Sequence, residues 1–218
     1  MIRTAMLVAA KDLRIELRSR VLLWQVVPFG VMALMLTGLA MGPNSQNAAN
    51  LAPGMFYLVL LFVVILTVSR AFAIESPVGT SQSTKMLGLD PAGVFLGKAS
   101  AIFLQLLLVG SVLLLGAATL LHIAAGVVLH ALPSVVLALG GLAITGTLYG
   151  ALTSGISGTT TLLPVLALPA FAPLLIAGER AFTSVALHQS GLRWLLLLIL
   201  VPVVYTAVGI LLYGVVEE

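Results

Sequence analysis

The sequence predicts an all-α integral membrane protein, and three observations carry that expectation. Charge is scarce, apolar residues come in runs long enough to cross a bilayer, and the basic residues collect on alternate connections. Of 218 residues, 61% are hydrophobic and 8% are charged. A water-soluble domain carries about 25% charged residues, because water must solvate its surface. A chain this poor in charge cannot cover a globule with polar groups, so its solvent is lipid. Hydrocarbon offers no partner to a backbone N–H or C=O, which leaves helices or closed barrels. Barrel strands alternate apolar and polar positions, whereas Val59 to Leu66 is apolar without interruption. Helices follow.

A bilayer core of about 30 Å needs about 20 helical residues. Six stretches come close to or exceed that length, approximately 21–41, 54–74, 97–121, 132–153, 160–177 and 194–215, in one transmembrane domain over 1–218. The fifth contains Pro164, Pro169 and Pro173, which predicts a kinked or broken helix, in the extreme two half-helices. Asp90-Pro91 reads as an N-cap followed by proline at the first helical position, so the third helix is expected to begin near residue 91. Ser81 to Leu89 has the makings of a short helix along the membrane surface. The pairs Gly93/Gly97 and Gly146/Gly150 permit close helix packing.

Orientation follows from lysine and arginine. With six spans and the N-terminus inside, eight of the ten basic residues fall on the cytoplasmic side, as the positive-inside rule requires. Arg180 and Arg193 dissent. Before the first span, Ile2, Met6, Ala9, Ala10, Leu13 and Leu17 share one helical face, and Lys11, Arg14 and Arg18 lie on the other side with Asp12. That is the pattern of a basic amphipathic helix in the membrane interface, with Lys11, Arg14 and Arg18 as its anchors. A signal peptide has a shorter charged lead and a shorter apolar region.

Several chemistries fail on inspection. Cysteine is absent, which excludes disulfides, thiolate metal sites and cysteine nucleophiles. The run from Gly93 to Lys98 has one residue too few for a phosphate-binding loop, Ala99 stands where Ser or Thr is required, and no strand precedes it. Gly155-Ile156-Ser157-Gly158 resembles an intramembrane serine protease motif, but His122, His130 and His188 are expected at the opposite membrane face, too far to take the serine's proton. Those histidines suit interfacial polar residues better than haem or metal ligands, since nothing in their spacing enforces a site. Glu179-Arg180 reads as an ion pair at the end of a loop. Asp and Glu occur only at span ends and termini, leaving Gln25, Gln105 and hydroxyls inside, which disfavours an ion-coupled carrier. Nothing suggests nucleic-acid binding.

An interfacial N-terminal helix, six spans and a polar connection between the second and third resemble the membrane subunit of type-2 ABC exporters. Local sequences are similar to one branch, the haem exporter B (CcmB) family of cytochrome c maturation. Leu51-Ala52-Pro53-Gly54, Arg70-Ala71-Phe72 with Glu75 and Gly79, Met86-Leu87 before Asp90-Pro91, and Gly97-Lys98 carry the likeness. So do Val165-Leu166-Ala167-Leu168-Pro169 and Pro173-Leu174-Leu175-Ile176. Where the family's connection typically has more acid, this chain has Ser81, Gln82, Ser83 and Thr84.

The resemblance implies a permease-type subunit that does no covalent chemistry and binds no cofactor by itself, with haem possible in the complex. A cytoplasmic coupling helix within residues 75–90 would meet a separate ABC ATPase subunit, with Glu75, Lys85, Met86, Leu87 and Asp90 as the docking residues. ATP hydrolysis there would drive haem export or the release of a haem-loaded chaperone, alongside a haem-handling membrane subunit. Six helices are half the usual set, which implies a second copy or another membrane subunit. The implied location is the bacterial inner membrane. Two other readings stand beside this one: a generic type-2 ABC permease for a lipid, drug or polysaccharide, and a non-transporting membrane scaffold.

Overall fold

A computed structural model describes residues 1–41, 48–73, 90–154 and 162–216. Every regular element among them is helical: α1 (Ile2–Ser19), a π-helical turn (Leu22–Val26) running into α2 (Val27–Met41), α3 (Ala48–Ala73), α4 (Pro91–Leu120), α5 (Ala125–Ser154), α6 (Leu162–Ala186) and α7 (Leu192–Val216). Six segments are long and apolar enough to cross a membrane: Leu22–Ala40, Leu51–Ala73, Pro91–Leu120, Ala125–Thr153, Pro164–Ala186 and Leu192–Leu212. The chain is an all-α, multi-pass membrane protein. The surface helix expected over Ser81 to Leu89 and the Gly155 to Gly158 motif lie outside the described residues.

α4 is 30 residues long, about 45 Å at 1.5 Å per residue, so it overruns the hydrocarbon layer. It starts at Pro91 with Asp90 as its N-cap residue. The π-helical turn precedes Pro28, and there the Val27 N–H reaches back five residues to the Leu22 carbonyl. In α-helical register the Pro28 ring would press on the carbonyl four residues back; one wide turn relieves it.

Of the kinked or broken fifth span expected, α6 overturns the broken alternative. It is one continuous helix from Leu162 to Ala186 with Pro169 and Pro173 inside it. Pro164 is its third residue, where the missing N–H would have had no helical partner anyway. Each of the other two prolines removes one hydrogen bond, whereas a break in lipid would strand several carbonyls. Because α6 runs on to Ala186, Glu179 and Arg180 belong to the helix and not to a loop; their ion pair is present at 3.4 Å.

The core lies between α3, α4, α5 and α6, and α5 touches all three others and α7. Phe56, Phe171 and Phe182 are fully buried there, and Phe56 packs edge-on to Tyr57 with ring centroids 5.3 Å apart. α2 lies against α3 and α4, and α7 against α4, α5 and α6. Both outer helices turn apolar side chains outward, among them Leu39 and Leu211. Three hydroxyls inside the spans are bonded to their own helix: Thr67 to the Val63 carbonyl at 2.8 Å, Thr147 to that of Ala143 at 2.7 Å, and Ser134 to that of Ala131 at 2.7 Å.

Candidate functional site at the α1 end of the bundle

Antiparallel neighbours bring the start of α2, the end of α3 and the start of α4 to one end of the molecule, and α1 lies across them. Sequence gave α1 two faces; the structure resolves three. At about 100° per residue, Thr4, Ala5, Val8, Asp12 and Glu16 form one stripe, and all five are half-buried against the bundle. A second stripe holds Ile2, Met6 and Leu17, each exposed. The third holds Arg3, Lys11, Arg14 and Arg18, also exposed. This corrects the grouping of Asp12 with the cations: its side chain is 15% exposed against 47% for Lys11, to which it pairs at 3.2 Å.

The inner stripe is seated by two glycines of α4. A Cβ at Gly97 would stand 2.6 Å from the Ala5 carbonyl oxygen and 2.8 Å from the Val8 Cβ. One at Gly93 would stand 2.8 Å from the Thr4 Cβ. The small-residue pair read from sequence as a packing motif is the groove that receives α1.

The other end of α1 is fastened to α3. The Glu16 carboxylate accepts the Leu22 N–H at 2.6 Å and the Arg70 Nε–H at 3.3 Å, while Arg70 Nη2 donates to Ser19 Oγ at 3.2 Å. Both charged side chains are mostly shielded, Glu16 at 12% exposure and Arg70 at 24%. Arg20 then takes a left-handed conformation (φ 52°) and, with Val21, leads straight into the first span. α1 is therefore tied to α4 near its start, to α3 near its end, and to α2 through the chain. A cleft of about 30 Å³ opens between these helices, lined by Asp12, Glu16, Thr67, Arg70 and Gln105 among others. It has room for a water or two.

Just inside this end, Lys98 is 2% exposed and its Nζ lies 4.5 Å from the centre of the Phe72 ring. The Phe72 ring packs directly on Gly150 of α5, leaving no room for a side chain there. The span read as starting at residue 97 put Lys98 at its edge; with the helix starting at Pro91, Lys98 is two turns in and buried.

Of the expected docking residues, Glu75, Lys85, Met86 and Leu87 lie outside the described residues. Asp90 is described: it precedes α4, half-exposed, with Oδ2 3.1 Å from the Met1 amino group. The sequence assigned no site role to Glu16, Arg70, Phe72 or Lys98, although the last three fall within the segments that carry the family likeness. A signal existed for two of them, since Glu16 is an acid on a basic helix and Lys98 a charge beside an apolar run, and both demand partners.

At the opposite end, His122 and His188 close helices. Each has positive φ, 54° and 55°, in the turn after α4 and α6. The Ile123 N–H returns to the Ala118 carbonyl at 3.1 Å, and the Gln189 N–H to that of Ser184 at 2.8 Å, the hydrogen-bond signature of a Schellman cap. His130 bonds the Gly126 carbonyl of its own helix at 2.8 Å. Among the described residues no three His, Cys, Asp or Glu side chains converge as a metal site. The two dissenting arginines have local partners, Arg180 in Glu179 and Arg193 in the Trp194 ring at 5.1 Å.

A bundle of six membrane-crossing helices with a strap helix laid across one end defines a polytopic membrane protein. The sequence matches the family described as CcmB protein over residues 3–213, and the chain belongs to that family. It is 30% identical over 172 residues to the heme exporter protein B of Rhodobacter capsulatus, covering 78% of each chain. It is 29% identical over 195 residues to the heme exporter protein B of Pseudomonas aeruginosa, covering 87% of this chain and 86% of that one.

Proposed function

We propose that this chain is the membrane subunit of an ABC-type haem-export system of cytochrome c maturation, and that it does no covalent chemistry itself. The observation that carries this reading is family membership across nearly the whole chain. Both relatives named above are heme exporter B proteins. A separate ATPase subunit hydrolyses ATP and grips residues 75–90, with Glu75, Lys85, Met86, Leu87 and Asp90 as its contacts. The chain sits in a bacterial inner membrane with its N-terminus and the α1 end in the cytoplasm, and α1 lies in the interface on Lys11, Arg14 and Arg18. A second copy or another membrane subunit completes the transporter. Hydrolysis drives haem export or release of a haem-loaded chaperone, next to a haem-handling membrane subunit.

The bracing of α1 supports the coupling part of this reading. Residues 74–89 leave α3 just after Arg70 and Phe72 and enter α4 just before Gly93, Gly97 and Lys98. Both flanks of that connection are held by the same strap, so a pull on it acts on α1, α3 and α4 together. The test is a detergent pull-down of the ATPase subunit by the variant Glu75→Lys, Lys85→Glu, Asp90→Lys. Recruitment is expected to be lost; recruitment equal to wild type removes the docking surface.

A further inference from the structure

α1 carries more than a packing face. Its inner stripe is seated on the bundle, through Gly93 and Gly97 at one end and Arg70 at the other. Beside that stripe Ile2, Met6 and Leu17 are 76%, 69% and 73% exposed, which in water would be a large unfavourable apolar surface. Trp24, on the first turn of the adjoining span, is 74% exposed. The third stripe is cationic. Among the described residues Arg3, Arg14 and Arg18 have no carboxylate within ion-pair distance. Two residues, Arg20 and Val21, separate this helix from a membrane-crossing segment, so it lies at the level where that span meets the headgroups.

We propose that the cationic stripe of α1 is a binding site for anionic phospholipid headgroups. The site rests on the interfacial placement of α1 given above and adds to it a chemical selectivity. The occupant is fixed by complementarity on two sides at once. Acyl chains cover Ile2, Met6 and Leu17, and the phosphate-bearing headgroup of the same lipid comes within reach of Lys11, Arg14 and Arg18, one helical sector away. A soluble acidic protein would satisfy the cations and leave the apolar strip in water. A zwitterionic lipid would cover the apolar strip and bring an ammonium to the arginines. An anionic lipid satisfies both. Each basic residue near an anionic surface contributes about a fivefold preference.

The experiment uses the full chain in vesicles, with Leu17→Trp as the reporter and Trp24→Phe and Trp194→Phe removing the two native tryptophans. Fluorescence quenching is measured with phosphatidylglycerol or phosphatidylcholine brominated near the headgroup end of the acyl chain. Stronger association of the anionic lipid, by about fivefold or more, is expected. It should fall to near parity in Lys11→Gln, Arg14→Gln, Arg18→Gln and persist in Arg14→Lys, Arg18→Lys. Equal quenching by the two lipids overturns the site while leaving α1 in the interface. Quenching by neither removes the interfacial placement as well. A preference that survives the triple substitution places the headgroup elsewhere and overturns the assignment. Should the triple variant not fold, about 1 M salt, which screens charges beyond about 3 Å, must abolish the preference of the Leu17→Trp reporter protein; a preference unchanged by salt refutes the site.

Discussion

Adding one methyl group at Gly97 should loosen α1 from the bundle. The Cβ of Gly97→Ala would meet the Ala5 carbonyl oxygen at 2.6 Å and the Ala5 Cα at 3.0 Å. These are backbone atoms, so no side-chain rotation relieves the contact. Ordinary contact is about 3.5 Å, and α1 must retreat by about 1 Å. Overpacking of this kind costs about 1–3 kcal/mol, while alanine gains up to about 1 kcal/mol over glycine in helix propensity. The balance is a loss of up to about 2 kcal/mol, or up to about 8 °C in melting temperature for a chain of this size. Gly54 is the internal control, because a Cβ there meets nothing within 4 Å. Gly54→Ala should therefore raise the melting temperature slightly by propensity alone. Thermal unfolding in detergent measures both, and trypsin cleavage at Arg14 and Arg18 should accelerate in Gly97→Ala only. Equal stability and equal cleavage in the two variants would refute the seat proposed for α1.

Glu16→Ala should cost about 2 kcal/mol, because it strips a charge-assisted partner from Arg70 and an acceptor from the Leu22 N–H. In a double-mutant cycle with Arg70→Ala, measured by thermal unfolding, the two losses should fall short of additive by more than about 0.5 kcal/mol; strict additivity would dissolve the brace. His122→Gly and His188→Gly should each stabilise by up to about 1 kcal/mol, since only glycine adopts positive φ without strain. Valine at either position should destabilise. A large loss of stability or of transport on substitution by glycine would show that the imidazole itself is needed.

Much of the fold was legible because lipid imposes one demand on every span. Runs such as Val59 to Leu66 have no alternative to helix, and Asp90-Pro91 announces the start of α4 by local chemistry. The places that were not legible are those where a partner from elsewhere in the chain decides the outcome. Hydropathy places the edge of a span where apolar residues begin, and so set Lys98 at the border. Its burial depends on Phe72 of the preceding helix, 26 residues away in sequence, and on the glycine at position 150 that lets the ring in. The inner face of α1 was hidden for the same reason. Thr4, Ala5, Val8, Asp12 and Glu16 form neither an apolar nor a basic stripe, and become a face only against Gly93, Gly97 and Arg70. The break allowed for in α6 does not occur, because the cost of one missing N–H is smaller than that of a break in hydrocarbon.

The strap arrangement constrains how force applied at residues 74–89 can travel. If the flanks of that connection were free, motion imposed there would be absorbed as local bending of the last turn of α3 or the first of α4. Here local bending at the α3 flank must break the Glu16–Arg70 pair, and at the α4 flank it must lift α1 from the Gly93/Gly97 groove. The groove is a close-packed contact that resists small displacements and yields only by moving to another arrangement, and the ion pair is lost once its charges separate. The softer response is for α1, the end of α3 and the start of α4 to move as one body, carrying α2 through its two-residue link to α1. On the coupling reading the cytoplasmic connection is thus geared to the first three spans together, with α5 as the surface they move against. Removing the brace would let the connection move without the spans, so Glu16→Ala is expected to keep ATPase recruitment and lose its coupling to transport. Loss of recruitment and coupling together would mean that α1 shapes the docking surface itself.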